Sequence, residues 1–187
     1  MGMNNMEHNK IKIMHVGQMI GGLDVYIRNT VTCADKRFEY VIVHGIGDNN
    51  LPVIKNGRAV REYTIPLFRS LNIIRDFVAL IQTIRIIKRE SPDLIHCHSA
   101  KGGVIGRIAG FLTGTRTAYT PHAFSFLSTD SFIMRNVYLI VERLVKLDSY
   151  LLACSESERE IGVDVVHYKE DHAYVWANCV PDAIKVI

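Results

Sequence analysis

Residues 92–126 read PDLIHCHSAKGGVIGRIAGFLTGTRTAYTPHAFSF, and this stretch decides the fold. An apolar strand over residues 94–97 runs into His98-Ser99-Ala100-Lys101-Gly102-Gly103, a polar and glycine-bearing loop. A helix-forming run over 103–112 follows. A second strand, 117–120, then empties into Pro121-His122-Ala123-Phe124-Ser125-Phe126. Two strands joined by a crossover helix pair in parallel, so both loops stand on the same edge of the sheet. In an open α/β sheet that edge, at the strands' carboxyl ends, is where ligands bind.

The alternation extends in both directions. Upstream, 11–16 reads as a strand, Gly17-Gln18-Met19-Ile20-Gly21-Gly22 as a loop, and 23–34 as a helix with Asp24 in its first turn. A second strand covers 40–43 and ends at His44-Gly45 and the turn Gly47-Asp48-Asn49-Asn50. A weaker one covers 60–65 and stops at Pro66. The longest helical pattern, 71–90, repeats Ile73, Phe77, Leu80, Ile81 and Ile84 at helical spacing toward a core. Ser91-Pro92 ends it, because a proline disfavours helical geometry in the residue before it. Downstream come a helix over 132–147 and a strand over 150–153. A helix capped by Ser155 follows, with Glu156 and Glu158 near the positive end of its dipole. A strand over 173–177 leads into Asn178-Cys179-Val180-Pro181-Asp182. Strands alternating with helices predict an α/β, Rossmann-like three-layer sandwich around a mostly parallel sheet of about seven strands.

Composition narrows the classes. At 187 residues the chain suits one domain, and a hydrophobic share of 48% supplies a real core. The net charge of +3 is spread without a dense Lys/Arg stripe, which argues against nucleic acid as a partner. Cys33, Cys97, Cys154 and Cys179 lie far apart with no C-x-x-C pair. Free thiols in a reducing cytosol are expected rather than a disulfide framework. The polar lead over 1–9 has no apolar core of a signal peptide, and no apolar run approaches the ~20 residues of a membrane span.

Three features together resemble the N-terminal domain of GT-B glycosyltransferases, in particular the family-4-like retaining enzymes of bacterial polysaccharide biosynthesis. They are Gly21-Gly22 after the first strand with an acid two residues on, His96 to Gly103 after the long helix's strand, and Thr120 to Phe126. The resemblance runs over residues 10–182. It implies an acceptor-side domain followed, from a linker beginning at 183–187, by a C-terminal donor-binding domain outside this chain. The nucleotide-sugar would be held mostly by that second domain, with no cofactor in this one, and the acceptor would be a saccharide or a lipid-linked saccharide. Family members often dock on anionic membranes. The basic residues beside apolar helix faces, Arg69, Arg75, Arg85, Lys88 and Arg89, then Arg135, Arg143 and Lys146, suit that task. Solvated faces of core-packing helices are the alternative, because Asp76, Glu90 and Glu142 are interspersed. The implied location is the cytoplasm, peripheral on the inner face of the cell membrane. The family pattern carries Glu where this chain has Asp24, and Gly where it has Ala123.

Site expectations follow residue by residue. Gly21 and Gly22 open a helix whose amide N–H groups and dipole attract phosphate oxygens, so the resemblance turns them toward the donor diphosphate and sugar. The bland alternative is a tight βα turn. His122 is expected beside the transferred sugar, as a positioning group for a transfer that depends on orientation and charge stabilisation. His98, Ser99, Lys101, Gly102, Phe124 and Ser125 are expected to line the acceptor pocket, with Lys101 meeting an acceptor phosphate. His96 and His98 share one strand face and have metal-ligand chemistry. No third or fourth ligand is apparent, so no metal is expected. Gly102-Gly103-Val104-Ile105-Gly106 is not the G-x-G-x-x-G fingerprint, which leaves a nicotinamide enzyme as a weaker rival. Gly106 and Gly110 are expected to serve close helix–sheet packing. A stand-alone acceptor-binding or scaffold subunit is the other alternative to an enzyme.

Overall fold

The computed structural model describes residues 10–48 and 51–177. The chain runs β1 (Ile11–Val16), α1 (Gly22–Cys33), β2 (Phe38–Gly45), β3 (Ile54–Lys55), β4 (Arg58–Ala59) and β5 (Arg61–Ile65). It continues with α2 (Ile73–Glu90), β6 (Leu94–His98), α3 (Ser99–Thr113), β7 (Thr117–Thr120) and a 3-10 turn at Ser125–Leu127. It closes with α4 (Phe132–Val145), β8 (Tyr150–Ala153), α5 (Glu156–Asp164), a second 3-10 turn at Glu170–His172, and β9 (Ala173–Val175). The lead 1–9, the turn residues Asn49 and Asn50, the stretch 178–182 and the expected linker 183–187 lie outside the described residues.

Seven strands form one sheet in the order β5-β2-β1-β6-β7-β8-β9, and every neighbouring pair is parallel. β3 and β4 make a separate antiparallel hairpin. The chain first winds outward from β1 through β2 to β5, then returns to the other side of β1 and winds through β6 to β9. The reversal falls between β1 and β6, where consecutive loops diverge and leave a crevice at the carboxyl edge. Val41, Ile42 and Val43 are buried, as a run of apolar residues covered on both faces must be.

Packing explains where the elements depart from expectation. Helix α3 starts at Ser99, not at residue 103, so the expected loop 98–103 is one pivot residue, Ser99 at φ 57°, followed by helix. Glycine costs a helix up to about 1 kcal/mol, but close approach to the sheet outweighs that here. A Cβ on Gly103 would stand 2.3 Å from the Tyr119 ring, and one on Gly106 2.4 Å from Cys97 Sγ. On Gly110 it would meet Thr117 at 2.2 Å, in line with the packing role expected of Gly106 and Gly110.

Helix α2 is capped by Asn72, whose Oδ1 accepts from Arg75 N–H at 3.0 Å, and ends at Ser91 in the left-handed region. Its apolar stripe is only half covered. Leu80 and Ile84 pack on the core beside buried Ala79, Ile86 and Ile87, whereas Ile73 and Phe77 stand 89% and 61% exposed.

Buried Arg107 ties the central layer together. Its guanidinium donates to Glu142 Oε2 at 2.9 Å, to Tyr168 OH at 3.1 Å and to the Gly103 carbonyl at 2.9 Å, over the face of Tyr119. Tyr119 donates to the other Glu142 oxygen at 2.8 Å, so both carboxylate oxygens are satisfied inside the fold.

Candidate active site at the switch point

Helix α1 begins on the carboxyl edge, directly after β1. Gly21 caps it with φ 58° and ψ −131°, a conformation that only glycine adopts without strain. Gly21 and Gly22 are exposed, and nothing lies within 4 Å of where their side chains would stand. The exposed start of this turn, at Gly21 and Gly22, is therefore open to a ligand. One turn on, the Tyr26 ring meets the His122 ring edge-on at 4.8 Å and the His98 ring at 5.5 Å. The Gly21-Gly22 turn and His122 thus stand on the same edge of the sheet, with Tyr26 of α1 against the His122 ring. Asp24 is buried against Arg28, whose Nε lies 2.8 and 3.0 Å from its two oxygens, and the guanidinium goes on to the Leu51 and Pro52 carbonyls.

Under the crevice lies a file of imidazoles. His15 Nδ1 is 2.8 Å from His98 Nε2, and His98 Nδ1 is 3.2 Å from His122 Nε2. His122 Nδ1 faces Cys154 Sγ at 3.7 Å, and His96 Nε2 pairs with Thr120 Oγ1 at 2.8 Å. Burial holds all four neutral: His15 is pushed down to about 3, His122 to about 4, and His96 and His98 well below the usual imidazole value.

Along the sequence no third partner is apparent for His96 and His98. The parallel register, which sets His15 beside His96, supplies one. Ring nitrogens of His15, His96 and His98 lie within 4.8 Å of one another, a neutral nitrogen set that suits a transition metal. His15 Nδ1, both His98 nitrogens and His96 Nε2 are already engaged in hydrogen bonds, and a cation drawing on any of them would have to break that contact.

The loop after β7 is held in an uncommon shape. His122 and Ala123 both have positive φ, 53° and 74°. Glu158 clamps them: Oε1 accepts from Ala123 N–H at 2.8 Å, and Oε2 accepts from Cys154 N–H at 2.7 Å. In the sequence Glu158 reads only as a helix-start acid. Ser155-x-x-Glu158 is the capping-box signature, and the glutamate does reach backward, but to the residue before the cap and to a neighbouring loop. His122, Ala123, Leu127, Cys154 and Ser157 border a hollow of about 400 Å³.

The expected acceptor residues divide. Ser99 and Ser125 are half-buried at the edge, Ser99 opening α3 and Ser125 opening the 3-10 turn. His98 is fully buried, so it meets the crevice through His122 rather than lining it. Lys101 is engaged: it pairs with Asp76 at 2.8 Å and donates to the Ser70 carbonyl, so it is not a free cation for a phosphate. Gly102 is buried, and a Cβ there would stand 2.7 Å from the Val16 carbonyl, which makes it a packing residue. Phe124 borders the hollow but is fully buried, stacked on Phe126. Cys97 is buried and Cys154 half-buried, both with free thiols. Cys33, also free, is exposed, and Cys179 lies outside the described residues.

Residues 20–183 match Glycosyltransferase Family 4. The UDP-Gal:alpha-D-GlcNAc-diphosphoundecaprenol alpha-1,3-galactosyltransferase of Escherichia coli is 30% identical over 162 residues, 83% of this chain and 41% of that protein. The chain thus spans less than half the length of that curated relative. Among solved structures, Acinetobacter baumannii MurG superposes with a TM-score of 0.60 at 10% identity, over 93% of this chain and 47% of its own. UDP-N-acetylglucosamine 2-epimerase from Rickettsia bellii gives 0.65 at 12%, over 90% and 45%. At such identities the likeness is one of fold, the Rossmann-like half of a GT-B architecture. Fold and family match agree, and the chain belongs to Glycosyltransferase Family 4.

Proposed function

We propose that this chain is the acceptor-side, N-terminal domain of a glycosyltransferase that moves a sugar, with retention, from a nucleotide-sugar to a hydroxyl of a saccharide or lipid-linked acceptor. The observation that carries this reading is the contact of His122 with α1 through Tyr26 at 4.8 Å, on the edge where the first turn of α1 opens. The open N–H groups at Gly21 and Gly22 face where a donor diphosphate would lie, and His122 holds the transferred sugar by a hydrogen bond. Transfer then depends on orientation and on charge stabilisation at the leaving group. The donor's nucleotide is assigned to a C-terminal domain, so the 187-residue chain alone should not turn over, and it needs no cofactor of its own. The substrates named for the E. coli relative, a UDP-sugar and a diphosphoundecaprenol-linked sugar, favour a lipid-linked acceptor.

A membrane surface fits the same reading. Among the described residues no helix is long and apolar enough to cross a membrane. Helix α4 nevertheless turns Ile133, Val137, Ile140 and Leu144 outward, one stripe at helical spacing, with exposed Arg135 and Arg143 nearby. Helices α2 and α4 both start at the carboxyl edge. Docking through their exposed apolar first turns, on the cytoplasmic face of the cell membrane, would bring a lipid-linked acceptor to the crevice. The test is His122→Ala in the complete enzyme. Transfer should fall about a hundredfold, the scale of losing one preorganised hydrogen-bond donor. An unchanged rate and affinity would remove His122 from the site.

A further inference from the structure

We propose that Asp48 is a positioning residue for the donor-facing turn: its buried carboxylate sets the loop between β1 and α1, and so fixes where Gly21 and Gly22 stand. The inference rests on the proposed approach of the donor diphosphate to that turn, and deepens it by naming what holds the turn there.

Asp48 lies three residues beyond β2 and is only 4% exposed. One oxygen, Oδ2, accepts two buried backbone N–H groups, from Met19 at 2.6 Å and from Gly45 at 2.7 Å. The first bond spans 29 residues and ties the loop after β1 to the loop after β2. Among the described residues no lysine or arginine pairs with this carboxylate, and His44 Nδ1 stands 4.0 Å away. The charge is therefore met chiefly by the two N–H dipoles. Such charge-assisted bonds are about twice as strong as neutral ones. Gly45 makes room for them. A Cβ there would stand 2.3 Å from the Leu67 carbonyl oxygen and 3.0 and 3.1 Å from the two Asp48 oxygens.

The loop after β1 is anchored from the β2 and β5 side. Gly17 N–H donates to the Val43 carbonyl at 3.1 Å, Gln18 Nε2 to the Leu67 carbonyl at 3.2 Å, and Met19 N–H to Asp48. Among the described residues Met19 is the last before the turn with a hydrogen bond to another element. Its side chain is fully buried, whereas Ile20 is half exposed and Gly21 and Gly22 are exposed. Helix α1 has no side-chain cap of its own, and glycine at its start leaves the backbone many conformations. The direction of the turn thus depends on where Met19 is pinned. Asp48 is the one charged group among the three anchors. A displacement of about 1 Å at a substrate-positioning group costs a transfer up to about a hundredfold.

Two measurements test this. In the 187-residue chain, Asp48→Ala should speed hydrogen exchange of the amides over 19–22 at least about tenfold, and leave the loop over 121–126 unchanged. In the complete enzyme, Asp48→Ala should lower kcat/KM for the nucleotide-sugar about ten- to a hundredfold. The KM for the acceptor should stay as it was, a split that general loss of structure does not produce. Asp48→Asn, whose one carbonyl oxygen can accept both N–H groups, should stay within about threefold of native. If Asp48→Ala does not fold, Asp48→Glu replaces it. Its longer arm keeps the charge but displaces the oxygen, and should lower the donor kcat/KM in the same way. A native donor kcat/KM in either folded variant overturns the inference, as do equal losses toward donor and acceptor, or unchanged exchange at Met19. Gly21→Ala in the complete enzyme tests the underlying reading separately. Donor kinetics untouched there would remove the diphosphate from the turn, while exchange at Met19 would still decide whether Asp48 holds the loop.

Discussion

His122 and Ala123 sit side by side in left-handed backbone, and Glu158 helps to hold them there through the Ala123 N–H. A non-glycine residue in that region carries roughly 1–3 kcal/mol of strain. Ala123 lies where the family pattern has glycine, and its φ of 74° shows why glycine suits the position. Ala123→Gly gives up about 0.4–1 kcal/mol through the freer unfolded chain, so the net gain should be about 1 kcal/mol. A urea titration should show a higher midpoint at the same slope. A lower midpoint would mean that the methyl group contributes packing that exceeds the strain. The identity of His122 as a loop residue on the ligand edge was legible from the strand that precedes it. Its neighbours were not, because Cys154 and Glu158 are more than thirty residues away and arrive only when β8 lies beside β7.

At the scale of elements, helical spacing revealed that α2 and α4 are amphipathic but not which side of each stripe is covered. Periodicity marks an apolar face; whether the protein or another surface covers it depends on what stands opposite. Ile133 and Ile140 of α4 are 73% and 55% exposed, with Arg135 beside them. Each buried isoleucine contributes about 1.5–3 kcal/mol. Ile133→Asp with Ile140→Asp should therefore weaken cosedimentation with phosphatidylglycerol vesicles at least tenfold, and the native chain should bind phosphatidylcholine vesicles poorly. Equal binding by the native and doubly substituted chains would dispose of the membrane face. Helix α3 shows the opposite limit. Its glycines hide its start in the sequence, which lies four residues earlier, at Ser99, where Gly102 packs against the Val16 carbonyl.

Across the whole molecule, the central histidines couple stability to pH. His15 and His122 have folded values near 3 and 4, and His96 and His98 also lie well below 6.5. The unfolded chain therefore takes up protons first as pH falls. Stability should be complete above about pH 6.5 and decline down to about pH 4, by up to about 1.4 kcal/mol per pH unit for each histidine that titrates only when unfolded. Urea midpoints between pH 7.5 and 5 measure this, and a flat profile would contradict neutral burial of the file. The sequence by itself determined the order and kind of the main elements, the parallel sheet, and the edge that carries Gly21, Gly22 and His122. Those follow from local alternation of apolar strands with amphipathic helices. The partnership of His15, 83 residues before His98, was decided only by the tertiary structure. It depends on β1 and β6 lying together in one register, and no spacing along a chain specifies which distant strands become neighbours.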